Sequence, residues 1–394
     1  MEKLFDAVPD QLFAFGRTRS AEVLADALSK APKTVLFTGG RSADVSGAAA
    51  FVEEIAARCG SKLVRWGKIS PEPDIETVLA MRDLLLETGD CTVCAAGGGS
   101  VLDAAKAALL LAETGRDIGS LFGIDRFSSE APAPAIRRII AVPTTSGTGS
   151  EATQYSNIVD RKGQVKRLIA EKAIVPQYAL IVPDFTMSMP CSVTLATGCD
   201  ALAHLLEGFL NTGADPGFGA DANKRALAGT KAIVENLPRV LADPRDGRAR
   251  RNMALAAALG GTVIRFKSTG LPHLCSFSWF GRIEHGMAVI MLLPHAWRYY
   301  LGNPAVADRT MELAPVFPGK TPEEVIDTFC RFTASLGVKR RLADYPLLTP
   351  ELMAQTAKSA GANRMKLELA PRPVPIEDSE RILSQILTQA YKGE

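Results

Sequence analysis

Short apolar runs that stop at glycine or proline alternate with helix-period segments through the first half of the chain, and this rhythm restricts the fold more than any other feature. "TVLFTGG" (34–40) reads as a buried strand ending in a glycine turn, followed by the helical "SGAAAFVEEIAARCG". "SKLVRWG", "CTVCAAGGGS", "RRIIAVPTTSGTGSEAT" and "QYALIVPDF" repeat the pattern, with amphipathic segments such as "DIETVLAMRDLLLETG" among them. Strands and helices in that order predict a parallel α/β sheet. Beyond residue 186 the strand-like runs stop. "SVTLATGCDALAHLLEGFLN", "DANKRALAGTKAIVENLPRVL" and "TPEEVIDTFCRFTASLG" carry helical periodicity, the last with Pro at its first position and a Thr-x-x-Glu capping box. At 394 residues the chain is long for one core. We therefore expect an α/β domain over 1–187 and an all-helical domain over 188–394.

Composition narrows the function. The charged fraction of 22% and a net charge of +2 give no reason to invoke nucleic acid or a membrane surface as partner. The N-terminus has acidic residues early and no apolar core of signal-peptide length, and no apolar run is long enough to span a bilayer. Seven cysteines without disulfide-like spacing suit a reducing cytoplasm. Cys91 and Cys94 spell C-x-x-C, but on a strand positions three apart face opposite sides, so the pair is expected to be structural.

Two loops stand at strand ends. "AAGGGSVLDAAK" sets Gly97, Gly98, Gly99 and Ser100 between a strand and a helix, where close backbone approach and a helix N-terminus suit a diphosphate. It is neither G-x-G-x-x-G nor a Walker loop, and a plain tight turn would look alike. "PTTSGTGSE" (143–151) follows another strand, and open α/β sheets bind ligands at such carboxyl ends.

Asp200 and His204 lie at i, i+4 in "TGCDALAHLLEG", so one helix face presents both. His273 and His285 add two imidazoles from later in the chain, while His295, on a helix, reads as structural. One Asp with three His is a mixed donor set that suits Fe(II), Zn(II), Co(II) or Mn(II). An ordinary hydrogen-bonded Asp–His pair remains the alternative for the first two.

The order "GGGSVLDAAK", "PTTSGTGSEAT", "DALAHLLEG", "HG" after a histidine-bearing loop, then "LLPH", resembles the iron-dependent (group III) alcohol dehydrogenase family across essentially the whole chain. The resemblance implies a Rossmann-like N-terminal domain for NAD or NADP, a helical metal-binding C-terminal domain in a dehydroquinate synthase-like architecture, and an alcohol or aldehyde substrate in the cleft between them. It implies that Gly98, Gly99 and Ser100 contact the diphosphate, that Thr144, Thr145 and Thr148 flank it and the nicotinamide ribose, and that Lys166 lies near that ribose. Asp200, His204, His273 and His285 match the family's ligands for Fe(2+), with Zn(2+) the other candidate. The turn that selects the cofactor holds Gly39, Gly40, Arg41 and Ser42, with no carboxylate before Asp44, which favours NADP over NAD. The expected reaction is hydride transfer to a carbonyl polarised by the metal, in a cytoplasmic homodimer or higher homo-oligomer.

This sequence departs from the family pattern at Phe277, where relatives commonly carry a further histidine, and its His273-to-His285 interval is about two residues short. Phe277, Trp279 and Phe280 would then either narrow the substrate pocket or form core. Arg265 and Lys267 could favour an anionic aldehyde, although surface charge is the default for both. Alternatives within the fold are a maleylacetate reductase-like enzyme for anionic carbonyls and a dehydroquinate synthase-like lyase. A non-catalytic nucleotide- or metal-binding relative is the alternative outside enzymes.

Overall fold

The computed structural model describes residues 1–129, 137–212 and 219–394. By compactness the chain divides into two units, Met1–Cys191 with Asp243–Gly261, and Ser192–Ala242 with Thr262–Glu394.

The first unit carries all nine strands of the described residues: β1 (Leu12–Phe15), β2 (Lys33–Gly39), β3 (Lys62–Ile69), β4 (Thr92–Gly97), β5 (Gly123–Ile124), β6 (Ile139–Pro143), β7 (Tyr155–Asp160), β8 (Val165–Ala170) and β9 (Tyr178–Ile181). Six of them form a parallel sheet in the order β1-β9-β6-β4-β2-β3, as the strand–helix rhythm predicts. Its central strands are buried on both faces, which is why they read as unbroken apolar runs. Val35, Phe37, Val93 and Ala95 pack into one core; Leu36, Cys94 and Ala96 pack into the other. Cys91 and Cys94 fall on opposite sides of that division, and both are buried free thiols. The sequence reading did not anticipate β1, at the edge of the sheet, or the small second sheet β5-β8-β7, in which β7 and β8 form an antiparallel hairpin.

Among the described residues of the second unit the regular elements are all helices, including Cys191–Leu210, Gly219–Ala242, His285–Tyr300, Pro322–Ser335 and Ser379–Lys392. Half of the capping box forms: Thr321 Oγ1 accepts from Glu324 N, while Glu324 Oε2 accepts from Lys320 N, one residue before the N-cap. No described helix is long and apolar enough to cross a membrane.

Candidate metal centre and nucleotide loops

The helix Cys191–Leu210 brings Asp200, His204 and Glu207 to one face by their i, i+4, i+7 spacing, and all three side chains are buried. His273 comes from the short helix Leu271–Ser276, and His285 is the first residue of the helix His285–Tyr300. Glycine makes this last approach possible. A Cβ on Gly286 would stand 1.9 Å from Ala196 O and 2.9 Å from Asp200 Cβ, so only a residue without one lets His285 reach Asp200.

Three imidazoles converge on one carboxylate oxygen. Asp200 Oδ1 lies 3.7 Å from His204 Nε2, 3.6 Å from His273 Nε2 and 3.7 Å from His285 Nε2. The donor atoms of Asp200, His273 and His285 all lie within 4.8 Å of one another. Those separations exceed a hydrogen bond, and Asp200 Oδ1 and His273 Nε2 are buried without a hydrogen-bond partner. A tetrahedral ion bonded at about 2.0–2.2 Å spaces its donors roughly 3.3–3.6 Å apart. Asp200, His273 and His285 therefore fit a divalent ion in both donor chemistry and spacing, and His204 adds a fourth donor of the right chemistry with its Nε2 3.7 Å from Asp200 Oδ1. Burial by itself would raise the pKa of Asp200, but the imidazoles of His204, His285 and His273 outweigh it and hold the carboxyl well below the usual carboxylate range. Burial would lower that of His273; the carboxylates of Glu207 and Asp200 overcome this and raise it to about 9.

Two residues outside the sequence-predicted set support the cluster. Glu207 Oε2 is hydrogen bonded to His273 Nδ1, which turns Nε2 toward Asp200. Ser276 Oγ sits 3.3 Å from His285 Nδ1 and donates to His273 O at 2.8 Å. A carboxylate on the far nitrogen of a histidine fixes its ring and raises its basicity as a ligand. The i+7 position of Glu207 relative to Asp200 was the signal available in the sequence. We expect Glu207→Gln to weaken metal binding about 10–100-fold while leaving the fold intact, as read by metal titration with a competing chelator; unchanged affinity would remove Glu207 from this role.

In the first unit, Gly98 precedes the 16-residue helix Gly99–Thr114, and no side chain caps that helix. Its first amides, at Gly99 and Ser100, have no partner within the helix and are free to meet an anion. The second loop packs directly on the first. A Cβ on Gly99 would stand 2.6 Å from Thr148 Cγ2, and one on Gly98 3.2 Å from Thr145 Cγ2. Thr144 Oγ1 and Ser146 Oγ are buried with no partner among the described residues, as expected of groups waiting for a polar ligand.

Asp103 and Lys106, on the helix Gly99–Thr114, pin these loops. Lys106 Nζ donates to Ser150 Oγ (2.8 Å), Thr153 Oγ1 (3.2 Å) and Tyr155 O (3.0 Å), and Asp103 accepts from Ser150 Oγ and Asn157 N. Lys166, on β8, forms an ion pair with Glu72 Oε1 at 2.9 Å. At the turn after β2, Gly39 ends the strand, Gly40, Arg41 and Ser42 are exposed, and Asp44 is paired with Arg65 at 2.7 Å.

The aromatic run divides. Trp279 is core, buried to 1% exposure with Nε1 donating to Thr356 Oγ1, while Phe277 and Phe280 are half-buried. Surface charge is the wrong reading for Lys267: it is buried, its ammonium donates to Asn223 Oδ1 at 2.7 Å, and burial with the nearby Arg309 lowers its pKa to about 8. The helix Gly247–Phe266 ends just before it, so Lys267 continues the inward-facing side of that element.

Strand-end loops of this kind and a carboxylate–imidazole cluster together suit an oxidoreductase that draws on a dinucleotide and a divalent ion. Residues 11–183 match the family model for iron-containing alcohol dehydrogenases, and residues 194–387 match that for the C-terminal part of the Fe-containing alcohol dehydrogenase family. The chain belongs to the iron-containing alcohol dehydrogenase family and is an oxidoreductase of the alcohol dehydrogenase class. It is 30% identical to alcohol dehydrogenase 4 of Saccharomyces cerevisiae over 78% of this chain and 79% of that one. Its fold is similar to that of an iron-containing alcohol dehydrogenase from Thermococcus thioreducens (TM-score 0.86, 24% identity, 98% and 99% coverage). It is also similar to a sulfoacetaldehyde reductase from Bifidobacterium kashiwanohense solved with NAD+ (TM-score 0.80, 26% identity, 98% of each chain).

Proposed function

We propose that the protein is a metal-dependent alcohol dehydrogenase that exchanges hydride between NADP(H) and an alcohol or aldehyde. The observation that carries this is the convergence of three Nε2 atoms on the buried, unpartnered Oδ1 of Asp200. Asp200, His204, His273 and His285 would hold the ion, iron by family membership and zinc by donor chemistry alone. When bound, the ion supplies Lewis-acid polarisation of the carbonyl oxygen and the nicotinamide supplies the hydride.

The chain's own residues set up that chemistry. Asp200 brings one negative charge to a site otherwise made of neutral donors, and Glu207 holds His273 in the tautomer that leaves Nε2 free to ligate. The amides of Gly99 and Ser100, with Gly98 allowing close approach, bind the diphosphate; Thr144, Thr145 and Thr148 add hydroxyls beside it. Lys166 reaches the ribose from β8, where Glu72 holds its ammonium in place. Phe277 and Phe280 present apolar surface in place of a polar helper, which favours a substrate that brings little polarity of its own at that position.

Preference for NADP rests on the turn after β2. Arg65 holds the carboxylate of Asp44, and the side chain of Arg41 makes no ion pair among the described residues, so a cation and the Ser42 hydroxyl face an incoming 2′-phosphate. Arg41→Ala is expected to raise KM for NADPH about 10-fold or more and to leave that for NADH unchanged. Equal effects on both cofactors would contradict the assignment. A second reading, reduction of an anionic aldehyde, is supported by likeness to the sulfoacetaldehyde reductase. Oxidation of NADPH by metal-loaded protein with short aliphatic, aromatic and sulfonated aldehydes tests both; turnover of none would overturn the proposed activity. A homo-oligomer in the cytoplasm completes the proposal.

A further inference from the structure

The second unit holds a cavity of about 410 Å³ on the helix His285–Tyr300, whose lining begins at Ile290, five residues beyond His285. Ile290, Met291, Pro294 and Val338 give it an apolar wall, and His295, Arg298, Lys339 and Arg340 give it a polar one. Two of these polar groups are without partners. The imidazole of His295 is buried to 7% exposure, its Nδ1 is an orphan, and it makes no hydrogen bond to any described residue. Arg340 makes no side-chain hydrogen bond or ion pair with any described residue, whereas Arg298 is bonded to Asp327 at 2.8 Å and Lys339 to Asp344 O at 3.0 Å. Pro294 adds a third opening. It lies inside the helix and has no N–H to donate to the carbonyl of Ile290, and both residues line the cavity.

Buried polar groups in folded proteins are almost always satisfied, so the orphaned imidazole of His295 marks a place built for a ligand, and the exposed guanidinium of Arg340 at the same cavity offers it a cation. Burial, with Arg298 and Arg340 nearby, pushes the pKa of His295 down to about 4, so near neutral pH its ring is uncharged and offers one N–H. The net positive field comes from the arginines. Asp327 and Glu394 are the carboxylates at the cavity, and the first is already engaged by Arg298.

We propose that this cavity is a second small-molecule site, separate from the metal cluster, for a monocarboxylate with a short apolar body. The carboxylate pairs with the Arg340 guanidinium and accepts the His295 N–H, and the apolar body lies along Ile290, Met291, Pro294 and Val338. A volume of about 410 Å³ is in the range of small-ligand pockets.

The probe is hexanoate, titrated calorimetrically into the purified full-length protein, with hexan-1-ol and inorganic phosphate as controls for the anion and the apolar body. Because a carboxylate also suits a metal site, the titration is repeated on His285→Ala. The proposal expects saturable binding of hexanoate that exceeds both controls, survives His285→Ala, and weakens at least about 10-fold in Arg340→Gln, a change at an exposed side chain that leaves aldehyde reduction unchanged. His295→Phe, which fills the same space without a donor, is expected to weaken binding as well. Absence of hexanoate binding to the wild type, affinity unaffected by Arg340→Gln, or binding lost only in His285→Ala would overturn it.

Discussion

Asp200→Asn is expected to abolish retention of a divalent ion and to lower kcat/KM for aldehyde reduction by about 10³-fold or more. The substitution keeps the side chain's size but removes the charge and turns one acceptor oxygen into an NH2 donor. Asp200 is the common neighbour of all three imidazoles, each 3.6–3.7 Å from its Oδ1. Without that charge, the site is a set of three neutral donors that a proton can occupy as readily as a metal. The expected loss equals several kcal/mol of transition-state stabilisation, which is what Lewis-acid polarisation of a carbonyl contributes. Metal analysis after gel filtration and initial rates with NADPH measure the two effects. Retained metal with full activity would place the ion elsewhere.

Gly286→Ala is expected to destabilise the protein by about 3 kcal/mol or more, the upper range for overpacking, and to lose the metal site with it. The added methyl would meet Ala196 O at 1.9 Å, a contact with backbone that cannot rotate away. Relief requires the start of the helix His285–Tyr300 to move off the helix Cys191–Leu210, and that movement separates His285 from Asp200. A lower thermal midpoint together with lost metal affinity is the expected pair of results. Gly247→Ala serves as the control, because nothing lies within 4 Å of a Cβ there and its φ is ordinary; it should change neither. Equal behaviour of the two variants would contradict the close-packing account.

The sequence made the parallel sheet readable because its central strands are buried on both faces and so appear as unbroken apolar runs. β1 was not readable: Leu12–Phe15 is only four residues long at the sheet edge, with two aromatic residues packed against Phe5, and the Gly16 that follows it also serves as the start of the helix Arg17–Leu28. The β7–β8 hairpin was missed for a different reason. Its strands mix buried Ile158 and Ile169 with Lys166 and Arg167, which blurs the period-2 signal. The same locality governs the site. Asp200 and His204 announce themselves because one helix turn joins them, whereas His273 and His285 could be added only as imidazoles from later in the chain, since nothing local tells which distant loop folds onto that helix; the resemblance then matched them to ligand positions. Glu207 stood at a readable spacing, but its role depends on the orientation of a ring 66 positions away. Lys267 was misjudged because a lysine's usual exposure is a weak guide where an asparagine such as Asn223 waits to receive it.

Anaerobic reconstitution of chelator-treated protein with Fe2+ or Co2+, with bound metal and NADPH-dependent aldehyde reduction measured on the same samples, tests whether the ion held at Asp200 drives the reaction. One ion per chain is expected, with activity rising in proportion to occupancy, and neither in Asp200→Asn. Full activity in metal-free protein, or one ion bound equally well by Asp200→Asn, would contradict this.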